Sequence, residues 1–224
     1  MTPSKAFPAE REALLAACRE SVAERLIRGS AGNLSVRAGE GFLITPTGYG
    51  ADRVSSDDLV WMSLATEGEG EGRLMPSSEW RFHRDLYRAR GDCHAVVHAH
   101  SPFAVTLACL RREIPPFHYM IAVAGGTTIR CARYATFGTQ ALSDAVLEAM
   151  ADRRACLMAN HGLVAIGPTP ARALAIALEV EDLCGQYWRA CQLGEPVLLT
   201  ETEMAEVIEK FRTYGQQPRS AKDE

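Results

Sequence analysis

Two apolar periodicities alternate along this chain, and no linker or repeat separates them. Short apolar segments read as strands: Leu34–Arg37 and Gly41–Ile44 as a hairpin around Ala-Gly-Glu, Leu59–Leu64, the alternating Ala95–His100, and Ala155–Ala159 as a short buried strand. Segments with a period near 3.6 read as helices: Ala9–Arg28 with Gly29 as its C-cap, Glu79–Arg90 after a serine N-cap, Pro102–Cys109, Thr139–Arg153, Thr169–Gln192 and Thr202–Tyr214. Glu67–Gly72 alternates Glu and Gly and reads as a solvated turn. Strands and helices mixed in this way predict an α/β or α+β single domain over 1–224, with a polar tail from about 215.

At 224 residues, with 47% hydrophobic and 23% charged, the chain can bury a full core without structural metal or disulfides. Its net charge of -4 argues against nucleic acid as a partner. Seven cysteines, odd in number and without a CxxC pair, read as free thiols of a reducing compartment. The N-terminus is charged where a signal peptide needs an apolar run, and no apolar stretch approaches the roughly 20 residues of a membrane span. A cytoplasmic protein with no membrane partner is expected.

His98-Ala99-His100 is the first chemical signal. In a strand, residues i and i+2 share a face, so two imidazoles can converge on one ion. An isolated HxH reads slightly better as two satisfied polar residues, because a ligand cluster needs a third group. His161 in Asn160-His161-Gly162 is available as that group, and three histidines with an open fourth position suit catalytic zinc. His83, His94 and His118 read as ordinary, although His94 shares the strand parity of His98. Glu79 at a helix start reads either as a complement to the helix dipole or as an acid/base beside the metal, and position alone favours the dipole. Gly29-Ser30-Ala31-Gly32-Asn33, Thr45-Pro46-Thr47-Gly48 and Pro76-Ser77-Ser78 read singly as turns and together as groups able to face an anion. Neither GxGxxG nor a Walker motif is present, so a nucleotide fold has no support.

The segments GSAGNLSVR, FLITPTGY, MPSSEWRFH, HAVVHAHSP, IPPFHYMIAVAGG, YATFGT, NHGLVA and FRTYG cover almost the whole chain. In these the sequence resembles the class II aldolase/adducin family, and within it the L-fuculose-1-phosphate aldolases. The resemblance implies one α/β domain around a central, mostly antiparallel sheet flanked by helices. It implies a lyase that splits a ketose 1-phosphate reversibly into dihydroxyacetone phosphate and an aldehyde. It implies one zinc ion per subunit, held by His98, His100 and His161, with Glu79 as the catalytic acid/base. Gly32, Asn33, Thr47, Gly48, Ser77 and Ser78 match positions around the substrate phosphate. Tyr119 matches a proton-transfer tyrosine on the aldehyde side, and Phe137 and Tyr214 match residues near the aldehyde pocket. A cyclic homotetramer with sites at subunit interfaces is implied, in which Tyr119 and Tyr214 complete a neighbour's site. No lysine Schiff base is expected, since Lys5, Lys210 and Lys222 lie outside the motifs.

The sequence departs from that pattern after Tyr214, which leaves the aldehyde open. The first alternative is 5-(methylthio)ribulose 1-phosphate or 5-deoxyribulose 1-phosphate as substrate, in nucleoside or methionine salvage. Pentulose-phosphate 4-epimerases of the family carry aspartate where this chain has Glu79, and the methylthioribulose-1-phosphate dehydratases lack the close SSEWRFH and HYMIA matches. An adducin-like non-catalytic scaffold would have lost zinc histidines that this chain retains.

Overall fold

The hairpin predicted around Ala-Gly-Glu forms and seeds the sheet. β1 (Gly32–Ala38) runs antiparallel to β2 (Gly41–Ile44), with Ala38 opposite Gly41. Gly39 opens the two-residue turn at φ 58°, where a two-residue hairpin needs a positive φ. In this computed structural model, residues 6–66, 68 and 70–212 are described. β3 (Val60–Ser63) continues the sheet on β2, and β4 (Gly70–Glu71) forms its edge. On the other side of β1 lie β5 (Ala95–Ala99), β8 (Gly162–Gly167), β7 (Ala155–Met158) and β6 (Cys131–Ala132), in that order. Every pairing in the sheet is antiparallel except β6 with β7.

Strand alternation divides the core into two layers. Leu34, Val36, Val97, Leu157 and Leu163 pack with α1 (Pro8–Ala23), α3 (Pro102–Ala108) and α5 (Pro170–Leu193). Phe42, Ile44, Val96, Met158 and Val164 pack with α2 (Trp80–Ala89) and α4 (Gln140–Met150). α6 (Glu201–Phe211) packs on a 3-10 turn at Tyr119–Ala124. Each fully buried Leu, Ile or Phe contributes about 1.5–3 kcal/mol, so the two layers together supply the main driving force. Among the described residues the cysteines are free, and no helix is long and apolar enough to cross a membrane.

Several boundaries differ from the sequence reading. α1 ends at Ala23 rather than Arg28, because Arg25 turns left-handed (φ 60°) and the N–H groups of Leu26 and Ile27 both donate to the Ser21 carbonyl. Leu26 and Ile27, read within the helix, enter the core from the loop after it. α2 starts one residue later than read, with Glu79 and not a serine at its N-cap position. Gly70–Glu71 pairs as a short strand inside the stretch read as a turn. β8 was not read as a strand, and His94 precedes β5 as an exposed residue instead of sharing its face. Thr139, Thr169 and Thr200 cap α4, α5 and α6 by accepting from the backbone N–H three residues on. Tyr214 and the tail lie outside the described residues.

Candidate active site

β5 carries His98 to the α2 side of the sheet and ends one residue before His100. His98 Nδ1 donates to the Leu163 carbonyl of β8 at 2.8 Å, which turns Nε2 away from the strand. His98 Nε2 lies 2.9 Å from His100 Nε2. His161 stands in the turn between β7 and β8, after Asn160, whose φ of 54° folds the chain back tightly. The three rings meet edge to face, with centroids 4.7–4.8 Å apart. Glu79 reaches the same point from the start of α2, with Oε2 3.1 Å from His98 Nε2 and Oε1 3.3 Å from His161 Nε2.

This donor set fits a divalent metal. One ligand atom from each of Glu79, His98, His100 and His161 lies within 4.8 Å of the others. Two ligands at about 2.0–2.1 Å from a tetrahedral ion lie roughly 3.4 Å apart, close to the separations found here. Glu79 Oε1 is buried and makes no hydrogen bond, an orphan acceptor of the kind a cation satisfies. The Leu163 carbonyl holds His98 in the tautomer that leaves Nε2 free to coordinate, the usual outer support of a ligating histidine.

The electrostatics agree. Burial works to raise the Glu79 carboxyl, but the charge and hydrogen bond of His98, the charge of His161 and the Asn33 amide hold it well below the usual carboxylate range. Burial works to lower His98, and Glu79 outweighs it, so this ring is raised. Burial and then the charge of His98 bring His100 and His161 down to about 4. These two rings are therefore neutral at pH 7, the form that ligates.

Glu79, His100 and His161 of the cluster line a cavity of about 390 Å³, within the range of small-molecule sites, while His98 is fully buried and does not line it. Gly32, Asn33, Thr47, Gly48, Ser77, Ser78, Glu79, His100, His161 and Phe137 all line it, so the cavity unites residues singled out in six separate stretches of sequence. The rim loops are stitched together: Ser77 N–H donates to Thr45 O, Thr47 N–H to Met75 O, and Leu34 N–H to Thr45 Oγ1. A Cβ at Gly32 would stand 2.6 Å from the His98 carbonyl, so only glycine lets β1 approach β5 here. Asn33 is buried and donates its amide Nδ2 to Glu79 Oε2 at 3.0 Å, so it serves the carboxylate as well as the cavity.

The apolar wall holds residues the sequence reading missed. Tyr134 and Ala135 join Phe137 there, and Pro46 and Asn160 also line the cavity. Arg111 backs this wall, with its guanidinium 5.5 Å over the Tyr134 ring and Nε donating to Asn160 Oδ1 at 2.6 Å. The YATFGT segment carried the signal, since Tyr134 lies three residues before Phe137. His83, read as ordinary, is fully buried and hydrogen-bonded to Asn33; its spacing of four from Glu79 on one helix was the overlooked sign. Tyr119 is half exposed on the 3-10 turn and does not line the cavity of its own chain.

The chain matches the family described as Class II Aldolase and Adducin N-terminal domain over residues 12–188. It is 52% identical over 205 residues to a 5-methylthioribulose-1-phosphate/5-deoxyribulose-1-phosphate aldolase of Rhodospirillum rubrum, covering 92% of each chain. It is 44% identical over 199 residues to the L-fuculose phosphate aldolase of Escherichia coli K12, covering 88% of this chain and 92% of that one. A solved L-fuculose 1-phosphate aldolase superposes with a TM-score of 0.88 at 39% identity, covering 94% of this chain and 99% of that chain.

Proposed function

The chain belongs to the class II aldolase and adducin family and is a class II aldolase, a lyase; on that premise we propose that it cleaves a ketose 1-phosphate to dihydroxyacetone phosphate and an aldehyde. The observation that carries this reading is one cavity lined by Glu79, His100, His161 and the hydroxyl- and glycine-bearing loops, with the buried His98 converging on the same ligand cluster from behind it. His98, His100 and His161 would hold one zinc ion per subunit, which supplies Lewis acidity for the ketose carbonyl. Ser77, Ser78, Thr47, Gly48, Gly32 and Asn33 receive the phosphate through hydroxyl, amide and backbone N–H donors. With the phosphate anchored at the rim, the sugar carbons extend over Glu79. As the C3–C4 bond breaks, the C4 hydroxyl gives up its proton to the aldehyde-side base, the role proposed for Tyr119 of a neighbouring subunit. Glu79, once it has taken up a proton, delivers it to C3, so one proton is lost from oxygen and one gained at carbon, and the reverse reaction retraces both transfers. The aldehyde leaves along the wall of Phe137 and Tyr134.

The aldehyde is the finer question. L-fuculose 1-phosphate is the first expectation of the motifs, and the relative from Escherichia coli carries that activity in its name. The Rhodospirillum rubrum relative is named for 5-methylthio- and 5-deoxyribulose 1-phosphate, whose tails are less polar. The aromatic wall of this cavity suits such a tail, and we place these salvage substrates first. Tyr119 and Tyr214 complete the site of a neighbouring subunit in a cytoplasmic homotetramer; the exposure of Tyr119 outside its own cavity supports this. Sedimentation at micromolar concentration tests the tetramer.

The decisive experiment measures dihydroxyacetone phosphate release by the zinc-loaded protein from 5-(methylthio)ribulose 1-phosphate and L-fuculose 1-phosphate, with a chelator control. A higher kcat/KM for the first supports the salvage role, and a higher value for the second assigns a deoxysugar aldolase. No release from either, with zinc bound, overturns the aldolase reaction for these substrates.

A further inference from the structure

α2 places Glu79, His83 and Tyr87 at successive intervals of four, on one helix face. β1 presents Asn33 and Ser35 toward that face, two residues apart. The two rows interlock in a buried chain of hydrogen bonds. Tyr87 Oη lies 2.7 Å from Ser35 Oγ, and Ser35 Oγ lies 2.6 Å from His83 Nδ1. His83 Nε2 lies 2.5 Å from Asn33 Oδ1, and Asn33 Nδ2 lies 3.0 Å from Glu79 Oε2. Ser35 and His83 have no solvent-exposed surface, and Tyr87 has 2%.

The chemistry of the groups orders every proton in this chain. A carboxylate only accepts, so Asn33 must turn its NH2 to Glu79 and its carbonyl to His83. That carbonyl requires a donor, so His83 carries its proton on Nε2. Burial above all pushes the His83 ring down to about 3, so at pH 7 it is neutral and has only one N–H. Nδ1 is therefore an acceptor and takes the Ser35 hydroxyl proton. Ser35, having spent its proton, accepts from Tyr87. All four donors point toward Glu79.

We propose that His83 is a positioning residue for Glu79: its Nε2–H locks the Asn33 amide with both N–H groups facing the carboxylate and the cavity. A flipped amide would set Asn33 Oδ1 against Glu79 Oε2, acceptor against acceptor, and would offer the cavity no donor for an anionic substrate. Ser35 fixes the tautomer that makes this possible. The inference rests on the reading of Glu79 as the acid/base.

The test separates the two readings. In the zinc-loaded protein labelled with 15N-histidine, NMR is expected to show His83 as the neutral Nε2–H tautomer, assigned by its loss in His83→Gln. In Ser35→Ala the Nδ1–H form is expected to gain population. Glutamine can replace the Nε2 donor and phenylalanine cannot. His83→Gln is therefore expected to retain kcat within about fivefold, while His83→Phe loses roughly 10–100-fold in kcat. A wild-type His83 protonated on Nδ1 or on both nitrogens overturns the proposal whether or not the protein is an aldolase. So does equal activity of folded His83→Phe and His83→Gln. If His83→Phe does not fold, the tautomer in the wild type and in Ser35→Ala decides. Absence of dihydroxyacetone phosphate release by the wild type, with the Nε2–H tautomer in place, removes the aldolase reading and leaves the hydrogen-bond order standing.

Discussion

Glu79 touches His98, His161 and Asn33 with one carboxylate, and each contact favours its ionised form. These contacts keep the carboxylate ionised but lower its proton affinity, so on the proposed function it takes a proton from carbon only once substrate displaces some of them. Glutamine keeps the volume and can still meet Asn33, but it cannot carry the proton. Glu79→Gln is therefore expected to retain bound metal while slowing hydrogen exchange at C3 of dihydroxyacetone phosphate by roughly a hundredfold or more. Exchange at the wild-type rate would remove Glu79 from the proton transfer. His161 reaches the cluster from the tight turn between β7 and β8, and its ring is neutral at pH 7. His161→Ala leaves two imidazoles and a carboxylate, and metal content per chain is expected to fall well below the wild-type value when both are dialysed against the same buffer. Full occupancy in this variant would refute its role as a ligand.

At the scale of elements, the site depends on how firmly α2 is held. Asp85, buried on α2, accepts from Arg84 Nε at 2.8 Å and, across the helix interface, from Gln140 Nε2 at 2.8 Å and Ser143 Oγ at 2.7 Å on α4. Burial opposes its charge, but these three donors outweigh burial and hold its carboxyl below the usual range. A depressed carboxyl stabilises the fold above its unfolded pKa of about 3.9, and that contribution is lost as pH falls through the folded value. Asp85→Asn is expected to cost about 1–3 kcal/mol near pH 7, and the difference should shrink below about pH 4. Denaturant unfolding at pH 7 and pH 3.5 checks both parts; a penalty that is the same at both would show that the charge contributes nothing. The contact itself joins residues 55 and 58 positions apart, so no local pattern announced it. The same distinction explains what was legible beforehand. The helices and most strands follow from local periodicity, and His98 with His100 from strand parity. The end of α1 at Ala23 does not, because a left-handed Arg25 and the burial of Leu26 and Ile27 are decided by tertiary packing. β8 is buried on both faces like β2 and β7, which were read, and it was overlooked because glycines at both of its ends weaken the strand signal. The aldehyde-side residues were only partly legible: the YATFGT segment pointed to Phe137, but Tyr134 enters the cavity wall through a loop held by Arg111.

For the whole molecule, the cluster joins the two ends of the fold's long-range order. His98 and His100 come from the end of β5, His161 from the β7–β8 turn and Glu79 from the start of α2. An ion held there ties the centre of the sheet to the layer on one of its faces, and the unfolded chain has no such preassembled site. Binding is therefore linked to folding: an ion at 1,000 times its dissociation constant adds about 4 kcal/mol to stability. For a chain of this size each kcal/mol moves the midpoint by roughly 2–4 °C, so stripping the metal is expected to lower Tm by roughly 8–16 °C. Readdition of zinc should restore it. The same chelator applied to His161→Ala should shift Tm far less, because that variant has little ion to lose. This comparison isolates the site from any general effect of the chelator. An unchanged wild-type Tm, with metal shown to have left, would mean that the histidines and Glu79 are held in place by the protein alone. The polar contacts of Glu79 with Asn33 and of His98 with Leu163 would then suffice to preorganise the site, and the ion would serve chemistry without serving the fold.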